Sequence, residues 1–460
     1  MIEENIMKII IIGDGKVGYS LAENLSAEGN DVVVIDKDPE ALRKADEFLD
    51  VMCIKGNGLS TKVLIEAGVK EAQLLIAATA SDEMNMVCCL TARKLGVAHT
   101  IARIRDPEYA DELSLLKHDL GLDMVFNPER AAAREISRMV RFPQAANIEI
   151  FARGRVELVE IRIAKGNSII GMQLKDIAEK ISSSILIGAV VRNDEIIIPK
   201  GDFRIEEGDI VHIVGKPAIV SNFCRQIGIY SHKIKNVMIT GGGRISYYLA
   251  KFLEETGIKA KIIEMNEERC VELSELLPHT LIINGDGSDD TLLNSENLSE
   301  MGAFVSLTDR DEENFMSALL AKQAGVQKVI AKINRSNYIS VIKSLGIESV
   351  VNPSQITTNH ILRYVRGMKN AQGSPIEALF RIIDGRAEAI EFTANESTAF
   401  LNVPLRNLKF KEGILVAVIV RNNDTLIPHG NDIIKSGDSV ILIVKGRKIS
   451  DLNDIIASGG

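Results

Sequence analysis

The sequence predicts an α/β chain of two Rossmann-like, doubly wound parallel-sheet domains, each followed by a small α+β module. Three observations predict this. Short apolar runs alternate with stretches of helical spacing, a glycine-rich turn joins the first such pair, and the whole pattern is written twice. Lys8 to Ile12 followed by Gly13-Asp14-Gly15-Lys16-Val17-Gly18 returns as Lys235 to Thr240 followed by Gly241-Gly242-Gly243-Arg244-Ile245-Ser246. Asp36 lies 23 residues after Gly13, and Glu264 lies 23 after Gly241.

The elements of the first half follow in order. Lys8 to Ile12 is a continuous apolar run suited to a strand buried on both faces, and Val17 to Ala27 carries apolar residues at helical spacing until Gly29 stops it. Asp31 to Ile35 reads as the second strand, and Asp38-Pro39 opens a helix to Phe48. Val51 to Ile54 is the third strand, Thr61 to Ala67 a helix, Leu74 to Ala78 a strand, Asp82 to Leu95 a helix and His99 to Ile104 a strand. After Pro143 the texture changes: Val156 to Ile163 alternates as a half-exposed strand and Leu174 to Lys180 is a short helix. Ile185 to Arg192 and Glu195 to Ile198 form a hairpin around Asn193-Asp194, and Asp209 to Val214 is a last strand. The expected divisions are 1–145 and 235–370 for the two Rossmann-like domains, with small modules at 146–230 and 371–460.

Composition agrees. A length of 460 residues suits two units of about 230, each able to bury its own core. Hydrophobic residues at 46% and charged ones at 25% are ordinary globular values. Net charge is −9 and tryptophan is absent, which argues against a broad grip on nucleic acid, and no helix-turn-helix with a basic recognition helix is evident. Cys53, Cys88, Cys89, Cys224 and Cys270 form no CxxC pair and read as small core residues in a reducing compartment. No apolar run reaches the ~20 residues of a membrane span, and the N-terminus lacks a basic, hydrophobic leader, so the expectation is a cytoplasmic chain or one held at a membrane by a partner.

The glycine turn carries the candidate chemistry. Gly13 allows the tight exit from the strand, Gly15 lets the backbone approach a diphosphate, and Gly18 permits close helix-to-sheet packing. The helix beginning there directs N–H groups and the positive end of its dipole at phosphate. Asp36 is placed to accept hydrogen bonds from a ribose diol, which favours NAD over NADP, although the neighbouring Lys37 softens that exclusion. In the second copy Ser246 replaces the third glycine and Glu264 the aspartate, which makes its occupancy less certain.

Further repeated residues fall at strand ends, the ligand-binding edge of open α/β sheets. Gly56-Asn57-Gly58 and Gly285-Asp286-Gly287 follow the third strands and are candidates for adenine or ribose. Ala78-Thr79 and Leu307-Thr308 follow the fourth strands, and Arg103 and Lys332 end the fifth with a charge suited to phosphate. Asn127-Pro128 and Asn352-Pro353 open the last helices, and Arg130, Arg134, Arg138 and Arg141 line one helical face. That face reads either as a contact with a partner, phosphates or another protomer, or as a solvated surface partly balanced by Glu129 and Glu135. Ile361, Val365 and Met368 read as a packing stripe on its counterpart.

The order of GDGKVG, Asp36, GNG, ATASDEMN, ARIRDPEY and NP, followed by the small module and then the whole again, resembles the tandem RCK (KTN) family of Trk-type potassium-uptake regulatory subunits. The resemblance implies a cytoplasmic protein that binds NAD or NADH and the adenine nucleotides ATP and ADP. It also implies a homo-oligomeric, tetrameric ring beneath a membrane potassium translocator. In similar subunits a basic residue of the glycine loop reaches nucleotide phosphates, a place held here by Lys16 and Arg244. The competing expectation is an NAD-dependent oxidoreductase, against which none of the seven histidines recurs at a matched position.

Overall fold

The computed structural model describes residues 6–107, 109, 120–143, 145, 147–181, 184–229, 233–369, 374–383, 385–422 and 424–457. The chain divides into two compact units, but not at its middle. One unit combines 1–137 with 235–362, and the other combines 138–234 with 363–460.

The first unit holds two six-stranded parallel sheets. Strands β1 (Lys8–Ile12), β2 (Asp31–Asp36), β3 (Met52–Lys55), β4 (Leu74–Ala77), β5 (His99–Arg103) and β6 (Met124–Phe126) run in the order β3-β2-β1-β4-β5-β6. This is the doubly wound order, with its switch point between β1 and β4. The continuous apolar runs are the buried ones: Ile9 to Ile12, Val32 to Ile35 and Leu74 to Ala77 are all nearly inaccessible. The second half repeats the order with Asn236–Thr240, Lys259–Glu264, Leu281–Asn284, Ala303–Ser306, Lys328–Lys332 and Ser349–Val351.

Helices start and stop where local chemistry dictates. Asp38 caps α2 (Pro39–Phe48) by accepting from the Glu40 amide, and Ser81 caps the helix Asp82–Leu95 by accepting from Met84. Gly96, at φ +112°, ends that helix in the left-handed region. By contrast, Gly15 before α1 (Lys16–Ser26) and Gly243 before Arg244–Glu254 provide no side-chain cap.

The two halves of this unit meet reciprocally. Ser20 of α1 shares a 3.0 Å hydrogen bond with Thr358 on helix Pro353–Lys369. In the other direction, Tyr248 donates to the Arg105 carbonyl at 3.0 Å and accepts from Asn127 at 3.1 Å. The Arg134 guanidinium lies over the Phe252 ring, 5.5 Å from its centroid, so this member of the arginine face is engaged within the chain. Ile361 and Val365 are fully buried and Met368 partly so, as the packing stripe requires.

The second unit holds two five-stranded antiparallel sheets. In the first, β7 (Asn147–Phe151), β8 (Val156–Arg162), β9 (Ile185–Arg192), β10 (Glu195–Ile197) and β11 (Ile210–Gly215) run β10-β9-β11-β8-β7. Its mate is ordered Ile376–Ile382, Ala387–Thr393, Ser439–Lys445, Ile414–Arg421, Asp424–Leu426. The expected hairpin forms, with Asn193 and Asp194 both at positive φ as a two-residue primed turn demands. The sequence reading missed β7, β6 and helix Pro217–Gln226. Each is short or of mixed pattern, and each is fixed by packing more than by periodicity. One core joins the two small sheets, with Phe151 and Phe380 edge-to-face at 5.0 Å.

Two repeated dipeptides pair with each other here. Arg192 grips Asp209 through Nε and a terminal nitrogen, both at 2.8 Å, and Arg421 grips Asp438 in the same way at 2.8 and 2.7 Å. The same carboxylates cap the adjoining turns, accepting from Glu206 and Lys435 amides. Arg366, among the largest fully buried side chains, forms a two-pronged pair with buried Glu388 at 2.9 Å on each prong.

Candidate functional site

The site is built at the carboxyl ends of β1 to β4, and again in the second half. Gly13 has φ +98° and Gly241 +90°, and a Cβ on either would stand 3.0 Å from the backbone of Ala78-Thr79 or Leu307-Thr308. Ala78 and Leu307 therefore form the wall against which the loop turns, and glycine is required on both counts. A Cβ on Gly18 would stand 1.8 Å from the Gly13 carbonyl oxygen, so the helix abuts the strand exit directly. At Ser246 that abutment is replaced by a hydrogen bond from the serine hydroxyl to the Gly241 carbonyl.

Gly15 and Gly243 differ from these. Nothing lies within 4 Å of a Cβ built on either, and both are exposed. With no side-chain cap, the first-turn N–H groups of α1 and of Arg244–Glu254 are left for water or for a ligand. Lys16 and Arg244 occupy the first helical position in an exposed setting, while Val17 and Ile245 turn inward and are buried.

The acidic residues stand where expected and are held in place by the loop itself. Asp36 accepts from the Asp14 amide at 2.7 Å and the Asp38 amide at 2.9 Å, and Glu264 accepts from the Gly242 amide at 2.5 Å and the Asn266 amide at 2.7 Å. Each carboxylate retains acceptor capacity for a diol. Lys37 is exposed, and its counterpart is Met265. Among GNG and GDG, the glycines are steric: a Cβ on Gly58 would meet Ile12 at 2.3 Å, and one on Gly287 would meet Thr240 at 2.6 Å. Asn57 and Asp286 between them are exposed and accept the amides of Leu59 and Ser288.

In the second half these parts line one cavity of about 640 Å³. Gly241, Gly242, Gly243, Glu264, Asp286, Gly287, Leu307 and Thr308 all contribute to it, as do Arg269 and Asp309. Arg244, Ile245 and Lys332 are not among its lining residues.

Arg103 and Lys332, expected to meet phosphate, are each ion-paired within the protein. Arg103 is paired with Glu129 at 3.2 Å, and buried Lys332 with Asp309 at 3.3 Å. Burial lowers both pKa values, with the partner carboxylates opposing, and Lys332 also feels the Lys16 charge across from the first half. Their charges are already balanced within the protein. Thr79 is likewise committed, its amide and hydroxyl both reaching the Asn85 carboxamide oxygen at 2.9 and 2.7 Å.

Asn85 and Asn314 hold matching places in the two halves, and sequence reasoning assigned them no role. Each ties the ends of two strands together. Asn85 donates to the Thr79 and Arg103 carbonyls at 3.3 and 2.8 Å, and Asn314 donates to Thr308 and Lys332 carbonyls at 2.9 and 3.0 Å. Asp82 and Asp311 do similar service, accepting the amides of Arg105 and Asp106, and of Asn334 and Arg335. Their repetition was the signal available: three polar residues at fixed spacing beside one strand end.

Comparison with known proteins agrees with this architecture. The TrkA-N domain model matches residues 9–128 and 237–353, and the TrkA-C domain model matches 158–228 and 389–457. The Trk system potassium uptake protein TrkA homolog 1 of Methanosarcina mazei is 38% identical over 97% of this chain and 99% of its own length. The Trk system potassium uptake protein TrkA of Haemophilus influenzae is 34% identical over 96% of each chain. Among solved structures, the GsuK RCK domain superposes with a TM-score of 0.62 at 18% identity, covering 97% of this chain and 94% of that one. The GsuK channel bound to NAD gives the same TM-score and covers 97% of this chain and 78% of that one. No helix of the described residues is long and apolar enough to cross a membrane. Matched in both halves and along nearly its full length, the chain belongs to the TrkA family of Trk system potassium uptake proteins.

Proposed function

We propose that this chain is a regulatory subunit of a Trk-type potassium uptake system, binding NAD or NADH and adenine nucleotides in its glycine-loop sites. Ligand state there sets potassium flux through a membrane translocator. The observation that carries the reading is the pair of uncapped helix N-termini, each faced by an open glycine and flanked by an oriented carboxylate. Family membership supports the potassium-transport role, and the NAD-bound and ADP-bound GsuK structures support the ligand class. The proposed assembly is a homo-oligomeric, tetrameric ring at the inner face of the membrane, held there by the translocator.

Regulation requires that a ligand bind one conformation better than another. A coupling of ~1 to 3 kcal/mol changes the favoured state by roughly 5- to 150-fold. The reciprocal contacts of Ser20 with Thr358 and of Tyr248 with Arg105 support such coupling, because each joins one half's glycine-loop helix to the other half. Calorimetric titration with NAD, NADH, ATP and ADP, repeated in Asp36→Ala and Glu264→Ala, tests the sites; a full set of unchanged affinities in both variants would contradict them. Measurable turnover of NADH with a panel of oxo-acids would favour the oxidoreductase reading instead.

A further inference from the structure

The two glycine loops differ most at their second position, Asp14 in one and Gly242 in the other. A Cβ on Gly242 would stand 2.7 Å from the Leu273 Cδ1 and 2.9 Å from the Glu264 side chain, so leucine hydrocarbon fills that space. In the first half the matched positions hold buried Ala45 in place of Leu273 and buried Asp14 in place of Gly242. Asp14 is 6% exposed, and among the described residues neither of its carboxylate oxygens has a hydrogen-bond partner.

Four neighbouring groups face it. Asp36, at the end of β2, holds the Asp14 amide and sets a negative charge alongside. Lys44 of α2 opposes that charge, but its ammonium lies over the Tyr19 ring at 4.2 Å. Tyr19 of α1 and Cys53 of β3 both hold their protons more tightly, with burial the main cause and Asp14 a contributor, so both stay neutral near pH 7. Burial first, then Asp36, raises the Asp14 pKa to about 7.

We propose that Asp14 couples nucleotide binding in the first half to uptake of a proton from solvent, a coupling the second half lacks. The proposal rests on the first glycine loop being a nucleotide site. A diphosphate seated on the Gly15 end of α1 brings negative charge and excludes water, and both favour the neutral carboxyl. Binding therefore tightens as pH falls and weakens as pH rises above neutrality, by at most about tenfold per pH unit per proton.

The test uses the full chain carrying Gly243→Asp, which closes the second loop, titrated with NADH by calorimetry in buffers of different ionisation enthalpy. The expected result is uptake of up to about one proton near pH 7.5, with affinity falling between pH 6.5 and 8.5. Adding Asp14→Asn, a neutral isostere, should abolish the uptake and flatten the profile. Binding without proton exchange, or exchange that persists in Asp14→Asn, would overturn the proposal. Should that variant not fold, a flat pH profile with Asp14 intact overturns it equally. Absence of NADH binding at every pH overturns the first-site reading itself, and the coupling with it.

Discussion

The two glycine loops share a backbone but not an interior. In the first, Gly18 lies against Gly13, Asp14 is buried beside Asp36 with no hydrogen-bond partner for its carboxylate among the described residues, and Lys37 and Lys44 stand nearby. In the second, Ser246 bonds to Gly241, Leu273 fills the loop, and Arg269 donates to the Gly242 carbonyl at 2.8 Å. Glu272 replaces Lys44, and the cavity is lined by Glu264, Glu268, Glu272, Asp286, Asp309 and Glu313 against Arg269. Duplication has preserved the strand exit, the uncapped helix N-terminus and the carboxylate, and has freed what surrounds them.

The largest effect should come from closing one loop at a time. Gly15→Asp and Gly243→Asp each place a carboxylate at an open N-cap, satisfying the helix amides that phosphate would use. Each should weaken its own half's nucleotide binding by about 100-fold or more, ~3 kcal/mol, while leaving folding stability within a few tenths of a kcal/mol or slightly raised. Calorimetric stoichiometry reads the result, and loss of both sites from one substitution would break the picture of separate halves. Next, Gly18→Ala should cost about 3 kcal/mol, because the new Cβ overlaps a backbone carbonyl, whereas Ser246→Gly should cost ~1 kcal/mol for one lost hydrogen bond. Comparable costs in chemical denaturation would show that the two helices are seated alike.

Asn85→Ala and Asn314→Ala sharpen the comparison from the other side. The braces share three bonds and Asn85 adds a fourth from the Thr79 hydroxyl, so each variant should lose about 2 kcal/mol, with Asn85→Ala the more costly. Asp14→Asn carries a sign. The folded pKa lies above the ordinary aspartate value of 3.8, so the folded state holds this proton more tightly than the unfolded one. The native carboxyl therefore costs stability increasingly as pH climbs from about 4 to 7, and the cost is constant above that. The variant's melting temperature should exceed the parent's at pH 8, with the gap closing as pH falls towards 4. A gap independent of pH would remove Asp14 as its source. The smallest effect belongs to Phe252→Leu, which removes the ring beneath Arg134 and should cost ~0.5 to 1 kcal/mol.

Most of the fold was legible because its signals are local. Strands such as Ile9 to Ile12 are apolar on both faces, Asp38 and Ser81 cap as their positions suggest, and Asn193-Asp194 turns as the hairpin demands. The elements that escaped notice, β6, β7 and Pro217–Gln226, are short or lack a clean period. Of the candidate site, the glycines and the acidic pair were legible because glycine at positive φ and a carboxylate at a strand end are backbone requirements. The ion pairs of Arg103 and Lys332 were not legible, because a sequence does not display the carboxylate that folds against a cation.

The sequence by itself determined the duplication, the parallel sheets, the two glycine loops and their flanking acids, since each is encoded within a few residues of itself. Only the tertiary structure decided that like modules associate across the chain instead of each half standing alone. It also decided that Arg192 meets Asp209, that Asn85 and Asn314 brace the sheet edge, and that Arg366 is buried on Glu388. Asp14 belongs with these: the charges of Asp36 and Lys44 act on it only in the folded chain, and whether a carboxyl group finds a partner is settled by neighbours that the chain brings together only on folding.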